Sequence, residues 1–172
     1  MEVFIKNLLL VCLFVVAFSV YAAEVQSDVE VRFHDFPWGT SMEAFTSRMG
    51  RPAHIDEING MRSLLYDNLI VSGYRTFMVA YFSERGLEGG VYYFHTFSLD
   101  ELMECYRQIQ SELLEKYGAT PLRDIIFREM RPYESAWNLA TGYIYLNVNT
   151  RQNEPVSVLF SSPALTRRMM GS

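Results

Sequence analysis

Phe97-Ser98-Leu99-Asp100-Glu101-Leu102-Met103-Glu104-Cys105-Tyr106, running on to Tyr117-Gly118-Ala119-Thr120-Pro121, is the stretch whose reading decides the fold. Ser98 and Glu101 stand at capping-box spacing, the serine hydroxyl placed for the Glu101 amide, and Phe97 with Leu102 supply a hydrophobic staple. Leu99, Leu102, Met103, Tyr106, Ile109, Leu113, Leu114 and Tyr117 then recur at three and four residues. Asp100, Glu104, Arg107, Gln108, Glu112, Glu115 and Lys116 fill the opposite face, so the stretch predicts an amphipathic helix. Cys105 falls on the apolar side, where burial raises a thiol pKa and leaves little nucleophilic thiolate. Gly118 and Pro121 end the helix.

The same punctuation occurs earlier in the chain. Thr40-Ser41-Met42-Glu43 reads as a capping box with Thr40 as the cap, Met42, Phe45 and Met49 mark a short helix over 41–49, and Gly50 and Pro52 stop it. Gly50 and Gly118 are both expected in the left-handed conformation that glycine adopts most readily. After each stop the hydrophobic period changes to two. Strands are expected at 63–71, 74–83 and 88–95 in the first unit, and at 125–130, 134–139, 143–149 and 156–161 in the second. Ser72-Gly73, Glu84-Arg85-Gly86 and Ala140-Thr141-Gly142 are turns too short for anything but antiparallel pairing. Gly89 and Gly90 read as hairpin glycines.

Helix stops this far apart lie outside the roughly 20–50-residue period of a solenoid. The expectation is an α+β domain of two helix-plus-antiparallel-strand half-repeats, at about 36–96 and 97–162. They form one continuous antiparallel sheet of six to seven strands with both helices on one face.

Upstream of this body the chain reads as an export leader. Lys6 precedes an apolar run from Leu8 to Val20 interrupted only by Ser19, and Val20-Tyr21-Ala22 places small residues before a cut after Ala22. The run is shorter than the ~20 apolar residues of a membrane-spanning helix, so residues 1–22 are expected to be removed, leaving 23–172 as a single domain with no stable membrane span. Two alternatives are an uncleaved N-terminal anchor and a lipidated Cys12. After cleavage at Ala22, Cys105 is the only cysteine, so no intrachain disulfide is expected.

The whole chain of 172 residues carries 15 basic and 20 acidic side chains, a net charge of −5. No basic excess is present to pair with nucleic-acid phosphates. With 49% hydrophobic and 20% charged residues, the composition is that of a folded globular chain.

Trp38-Gly39-Thr40-Ser41-Met42-Glu43-Ala44-Phe45, then Met49-Gly50-Arg51-Pro52 and aromatic-rich strands, resembles the repeat of small exported SmpA/OmlA-type lipoproteins and β-lactamase-inhibitor-like proteins. That resemblance implies a non-catalytic, exported binding or scaffolding fold that grips a protein through its sheet.

Chemistry-bearing motifs are sparse. His34, His54 and His95 lack the short spacings that place two zinc ligands on one helix face. No Gly-x-Ser-x-Gly elbow, Cys-x-x-Cys pair, P-loop or dinucleotide fingerprint occurs, so no cofactor and no metal are expected. A small cell-envelope hydrolase is the alternative. It would use His34/Asp35 as an acid–base pair or gather His54, Asp56 and Glu57, which read as a solvated connection after Pro52; His95 reads as a sheet-edge histidine.

The strands are more informative. In 74–82 both alternating sets are apolar, Tyr74, Thr76, Met78, Ala80 and Phe82 on one side and Arg75, Phe77, Val79 and Tyr81 on the other. In 91–95, Tyr92 and Phe94 face away from Val91, Tyr93 and His95. A sheet with one wet face alternates more cleanly, so something covers the face that the helices leave bare. The coverings open to it are the chain's own ends (residues 24–37 or the tail from Ser162), a second copy in a homodimer, or a protein or envelope partner. Tyrosine mixed with arginine is the composition of protein interfaces, which makes Tyr74, Arg75, Phe77, Tyr81, Tyr92 and Phe94 the candidate partner-binding residues.

Overall fold

The computed structural model describes residues 29–58, 60–96, 98–118, 133–148 and 156–170. Element order is α1 (Met42–Met49), β1 (His54–Ile58), β2 (Met61–Val71), β3 (Tyr74–Ser83), β4 (Gly86–Phe94), α2 (Leu99–Tyr117), β5 (Tyr133–Leu139), β6 (Gly142–Val148), β7 (Val156–Ser161) and α3 (Pro163–Met170). The strands make one seven-stranded antiparallel sheet in the order β1-β2-β3-β4-β7-β6-β5. The last strands of the two units, β4 and β7, pair at its centre, with Val91 opposite Leu159. The leader and the expected strand at 125–130 lie outside the described residues.

Antiparallel register turns each face into rows. On the first face Tyr66, Met78, Tyr92, Val158, Leu146 and Ser135 stand opposite one another in turn. The adjacent row is Leu64, Ala80, Gly90, Phe160, Ile144 and Trp137. Both expected helices sit here. Phe45 of α1, fully buried, has its ring centroid 6.0 Å from that of Tyr66 and 5.3 Å from that of Phe82, and Tyr106 of α2 shares a 2.9 Å hydrogen bond with Ser135. The Trp137 indole N–H donates to the Gly118 carbonyl oxygen at 3.0 Å, tying the end of α2 to β5.

Helix ends depart from expectation by small steps with local causes. Ser41, not Thr40, caps α1, its Oγ accepting from the Ala44 amide at 3.1 Å; the Thr40 hydroxyl donates instead to the Pro37 carbonyl oxygen. Ser98 caps α2 as expected, accepting from the Glu101 amide. Gly50 (φ 82, ψ −168) and Gly118 (φ 80, ψ −172) stop their helices in an extended mirror-image conformation, not the left-handed helical one. Leu99, at the solvent end of the α2 stripe, is 60% exposed.

Two further elements go beyond those that the hydrophobic pattern predicts. Residues 54–58, expected as a connection, form the edge strand β1 against β2, and the tail forms α3. Gly89 and Gly90 lie inside β4 and not in its hairpin turn.

Candidate functional site

The second face of the sheet carries a central row that crosses six strands, Leu65, Val79, Val91, Leu159, Tyr145 and Ala136. None of its members is charged. Phe77, Tyr93, Ser157, Asn147 and Glu134 form the row on one side of it, and Ser63, Tyr81, Gly89, Ser161 and Tyr143 the row on the other. Phe77 and Tyr93 stack at 4.7 Å, and the Phe77 ring also meets His95 at 5.3 Å. Burial pushes the Tyr81 hydroxyl pKa up, with the Tyr93 hydroxyl adding to it. Burial likewise raises Tyr143 and Tyr145, with Glu134 contributing. These hydroxyls stay neutral donors. On the same face, Asn147 Oδ1 is buried with no hydrogen-bond partner.

Among the described residues, α3 is the element seated on this face, at one end. Leu165 lies over Gly89, where a Cβ would come 2.5 Å from its Cδ2. Glu88 anchors the helix. Its carboxylate accepts from Ser83 at 2.7 Å and Ser162 at 3.1 Å and pairs with Arg168 at 2.9 Å. The N-terminal segment crosses the helix-bearing face instead, with the Phe33 ring over Gly90.

The six sequence-selected partner residues therefore divide between the faces. Arg75, Phe77 and Tyr81 lie on the open one. Tyr74 turns toward α2, its ring 6.4 Å from Phe94, while Tyr92 and Phe94 are 7% and 1% exposed beneath α2 and the N-terminal segment. The period of two makes alternate residues part company, which removes these three from a common surface with the others. Tyr93, Tyr143 and Tyr145 take their place. Tyr143 and Tyr145 belong to a strand whose alternation, apolar in and tyrosine out, was the signal that could have found them.

A second concavity lies on the helix side, between α2, the N-terminal segment and the β2–β3 turn, with a volume of about 250 Å³. His34 and Asp35 reach it from a tight turn. Phe33 and Phe36 exchange backbone hydrogen bonds at 3.2 and 3.0 Å, and the two residues between them take φ of 51° and 62°, values that Asp and His tolerate better than most side chains. His34 Nδ1 lies 2.8 Å from the Tyr92 hydroxyl. Burial lowers the His34 pKa, Asp35 opposes that, and Arg48 adds to it. Burial also raises Tyr92 strongly, so both members of the pair are neutral near pH 7. The Ser72 hydroxyl, at the turn, donates to Glu112 of α2 at 2.5 Å.

His54, Asp56 and Glu57 are exposed on the edge strand β1, apart from this concavity. His95 is exposed just past the end of β4, its amide donating to the Arg75 carbonyl oxygen. Cys105 is fully buried, its thiol pushed up to about 12 by burial first and by Glu101 and Glu112 next. Among the described residues, no three His, Cys, Asp or Glu side chains gather as a metal would need.

No family model matches the chain, and no curated protein matches it. Solved structures give remote likenesses. One is an extracellular protein containing an SCP domain from Bacillus anthracis str. Ames, with TM-score 0.48 and 13% identity over 83% of this chain and 50% of that one. A DUF4309 family protein from Bacillus subtilis subsp. subtilis str. 168 has TM-score 0.44 and 11% identity over 71% of this chain and 78% of its own. A cysteine-rich secretory protein from Staphylococcus aureus subsp. aureus Mu50 has TM-score 0.44 and 8% identity over 74% and 45%. The chain spans about half the length of the first of these. None of the three is described as an SmpA/OmlA-type or β-lactamase-inhibitor-like protein. The fold defines a class, the α+β domain with one seven-stranded antiparallel sheet.

Proposed function

We propose that this chain is an exported, non-enzymatic binding module that receives a protein partner of the cell envelope on the second face of its sheet. The observation that carries the reading is the uncharged row from Leu65 to Ala136, over which, among the described residues, only α3 is seated, and that at one end. Around this row, Phe77, Tyr81, Tyr93, Tyr143 and Tyr145 offer large rigid rings with neutral hydroxyls, and Arg75 a cation at the rim. That mixture suits a protein surface better than a lipid one, because rings and hydroxyls can be buried together only against matching polar groups. Export rests on the sequence of residues 1–22, and among the described residues no helix is long and apolar enough to cross a membrane.

The test is capture from native envelope extract by the immobilised chain beginning at Ala23, alongside a folded Tyr81→Glu, Tyr93→Glu variant. A protein retained by the wild type and lost by the variant is the expected result. Equal retention, or none by either, overturns the reading. Sedimentation of both forms separates a second copy from a foreign partner, since a dimer dissolved by the variant would assign the face to self-association.

Hydrolysis at His34 and Asp35 is the second reading, favoured by their place in the concavity. Tyr92 is the hydrogen-bond partner of the His34 ring among the described residues, so the imidazole as it stands activates no aliphatic hydroxyl. Any hydrolytic activity retained in full by His34→Ala removes this reading.

A further inference from the structure

The helix-side concavity carries charges of both signs on separate walls. Its floor is apolar: Ile109, Leu113 and Phe160 line it, and Leu113 and Phe160 each keep 8% of their surface open. Roughly 150 Å³ of apolar cavity holds a benzene ring, so about 250 Å³ takes such a ring with a short polar head. It falls short of the roughly 300 Å³ and above that receive drug-sized molecules.

Four charged side chains line the same space, and two of them are already committed. Arg32 pairs with Glu30 at 2.6 Å, and Glu112 accepts from Ser72 on one oxygen and from Gln108 on the other. Lys116 and Asp35 differ from these. Both are exposed, and among the described residues neither belongs to an ion pair. Lys116 stands on the α2 wall, its Nζ 5.3 Å from the centroid of the Tyr117 ring, which also lines the concavity. Asp35 stands on the N-terminal wall, its charge adding to the burial that raises the pKa of Tyr92, another lining residue.

A ligand with a single charge meets the wrong sign on one wall. An anion drawn to Lys116 faces Asp35, and a cation drawn to Asp35 faces Lys116. A zwitterion satisfies both, and the same two charges act against its singly charged analogues. We infer that this concavity binds a free α-amino acid with an apolar side chain, its carboxylate toward Lys116, its ammonium toward Asp35 and its side chain on Leu113 and Phe160. The site lies on the opposite side of the sheet from the proposed partner face, so either reading can fail without the other.

L-Phenylalanine is the probe, beside hydrocinnamate, which lacks the ammonium, and phenethylamine, which lacks the carboxylate. Each is titrated into the protein and followed by calorimetry and by ligand-observed NMR. Saturable binding of phenylalanine is expected, with each analogue about threefold to fivefold weaker, the scale of one exposed charge pair. In Lys116→Met the gap between phenylalanine and phenethylamine should close while the gap to hydrocinnamate remains, and Asp35→Asn should do the reverse. Neither variant challenges the fold, since methionine suits a helix and asparagine accepts the φ of 62° at residue 35. Glycine, with no side chain for the floor, should bind far more weakly than phenylalanine. No saturable binding of phenylalanine, equal binding of its two analogues or of glycine, or gaps that both variants leave unchanged would overturn the assignment.

Discussion

A Cβ placed on Gly90 would lie 2.1 Å from Cε1 of Phe33, so the ring of the N-terminal segment rests directly on the backbone of β4. The adjacent Gly89 admits Leu165 of α3 in the same way on the other face. Two successive glycines thus let one side chain close on each side of the central strand. Gly90→Ala is expected to lose about 1–3 kcal/mol through overpacking, measured by urea denaturation. Phe33→Leu should recover part of that loss in the double variant, as residues in direct contact couple. Additive losses would show that Phe33 does not hold this position.

Gly50 and Gly118 stop their helices with nearly the same φ and ψ, and nothing lies within 4 Å of a Cβ built on either. An alanine there meets no clash, only a backbone region that side chains disfavour by roughly 1–3 kcal/mol. Both Gly→Ala variants should lose stability in that range and by similar amounts. A loss at one and none at the other would show that the two stops are not equivalent.

Glu88 sets a pH dependence. Burial pushes its pKa up, but hydrogen bonds from Ser83, Ser162 and Arg168, with the Arg168 charge, outweigh burial and hold it below its ordinary 4.5. A depressed carboxylate stabilises the fold fully above its unfolded pKa and loses that contribution as pH falls through the folded value. Unfolding midpoints of the wild type should therefore drop below about pH 4.5, and Glu88→Gln should flatten that part of the profile while lowering stability at pH 7. Because Glu88 anchors α3, the amides of residues 164–170 should exchange faster in this variant than those of β4. Uniform acceleration across the sheet would show that α3 does not open by itself.

The rows of the sheet were legible because period-two alternation is a local property: Tyr74–Ser83 and Val156–Ser161 are strands to the residue. So was the burial of Cys105, which follows from helical spacing alone. The choice of face was not. Tyr92 and Tyr93 are neighbours of like chemistry, and only the long-range decision that α2 and Phe33 cover one side makes the first core and the second surface. The edge strand at His54–Ile58 escaped notice because its side chains are largely polar and its order comes from pairing with Met61–Leu65. The concavity escaped for a related reason. Lys116 reads as one charge on the outer face of a helix, and nothing local tells that Asp35 stands on the other wall of the same concavity.

α2 bridges the two units, and cooperativity should follow. Gln108 donates to the Ser72 carbonyl oxygen at 2.9 Å, and the Ser72 hydroxyl donates to Glu112, which binds the helix to the first unit. One turn away Tyr106 and Gln110 reach Ser135 of the second at 2.9 and 2.8 Å. Neither half can release the helix without exposing the apolar face that Leu102, Ile109 and Leu113 bury. Phe45→Ala, in the first unit, and Ile109→Ala, in the helix that spans both, should each cost about 2–5 kcal/mol within one transition that fluorescence and circular dichroism report at the same midpoint. A fragment of residues 97–172 lacks β4 as the partner of β7 and Ser72 as the partner of α2, so it should not reach native stability. A fragment that does, or two separated transitions in the whole chain, would divide the sheet between β4 and β7 into independent domains.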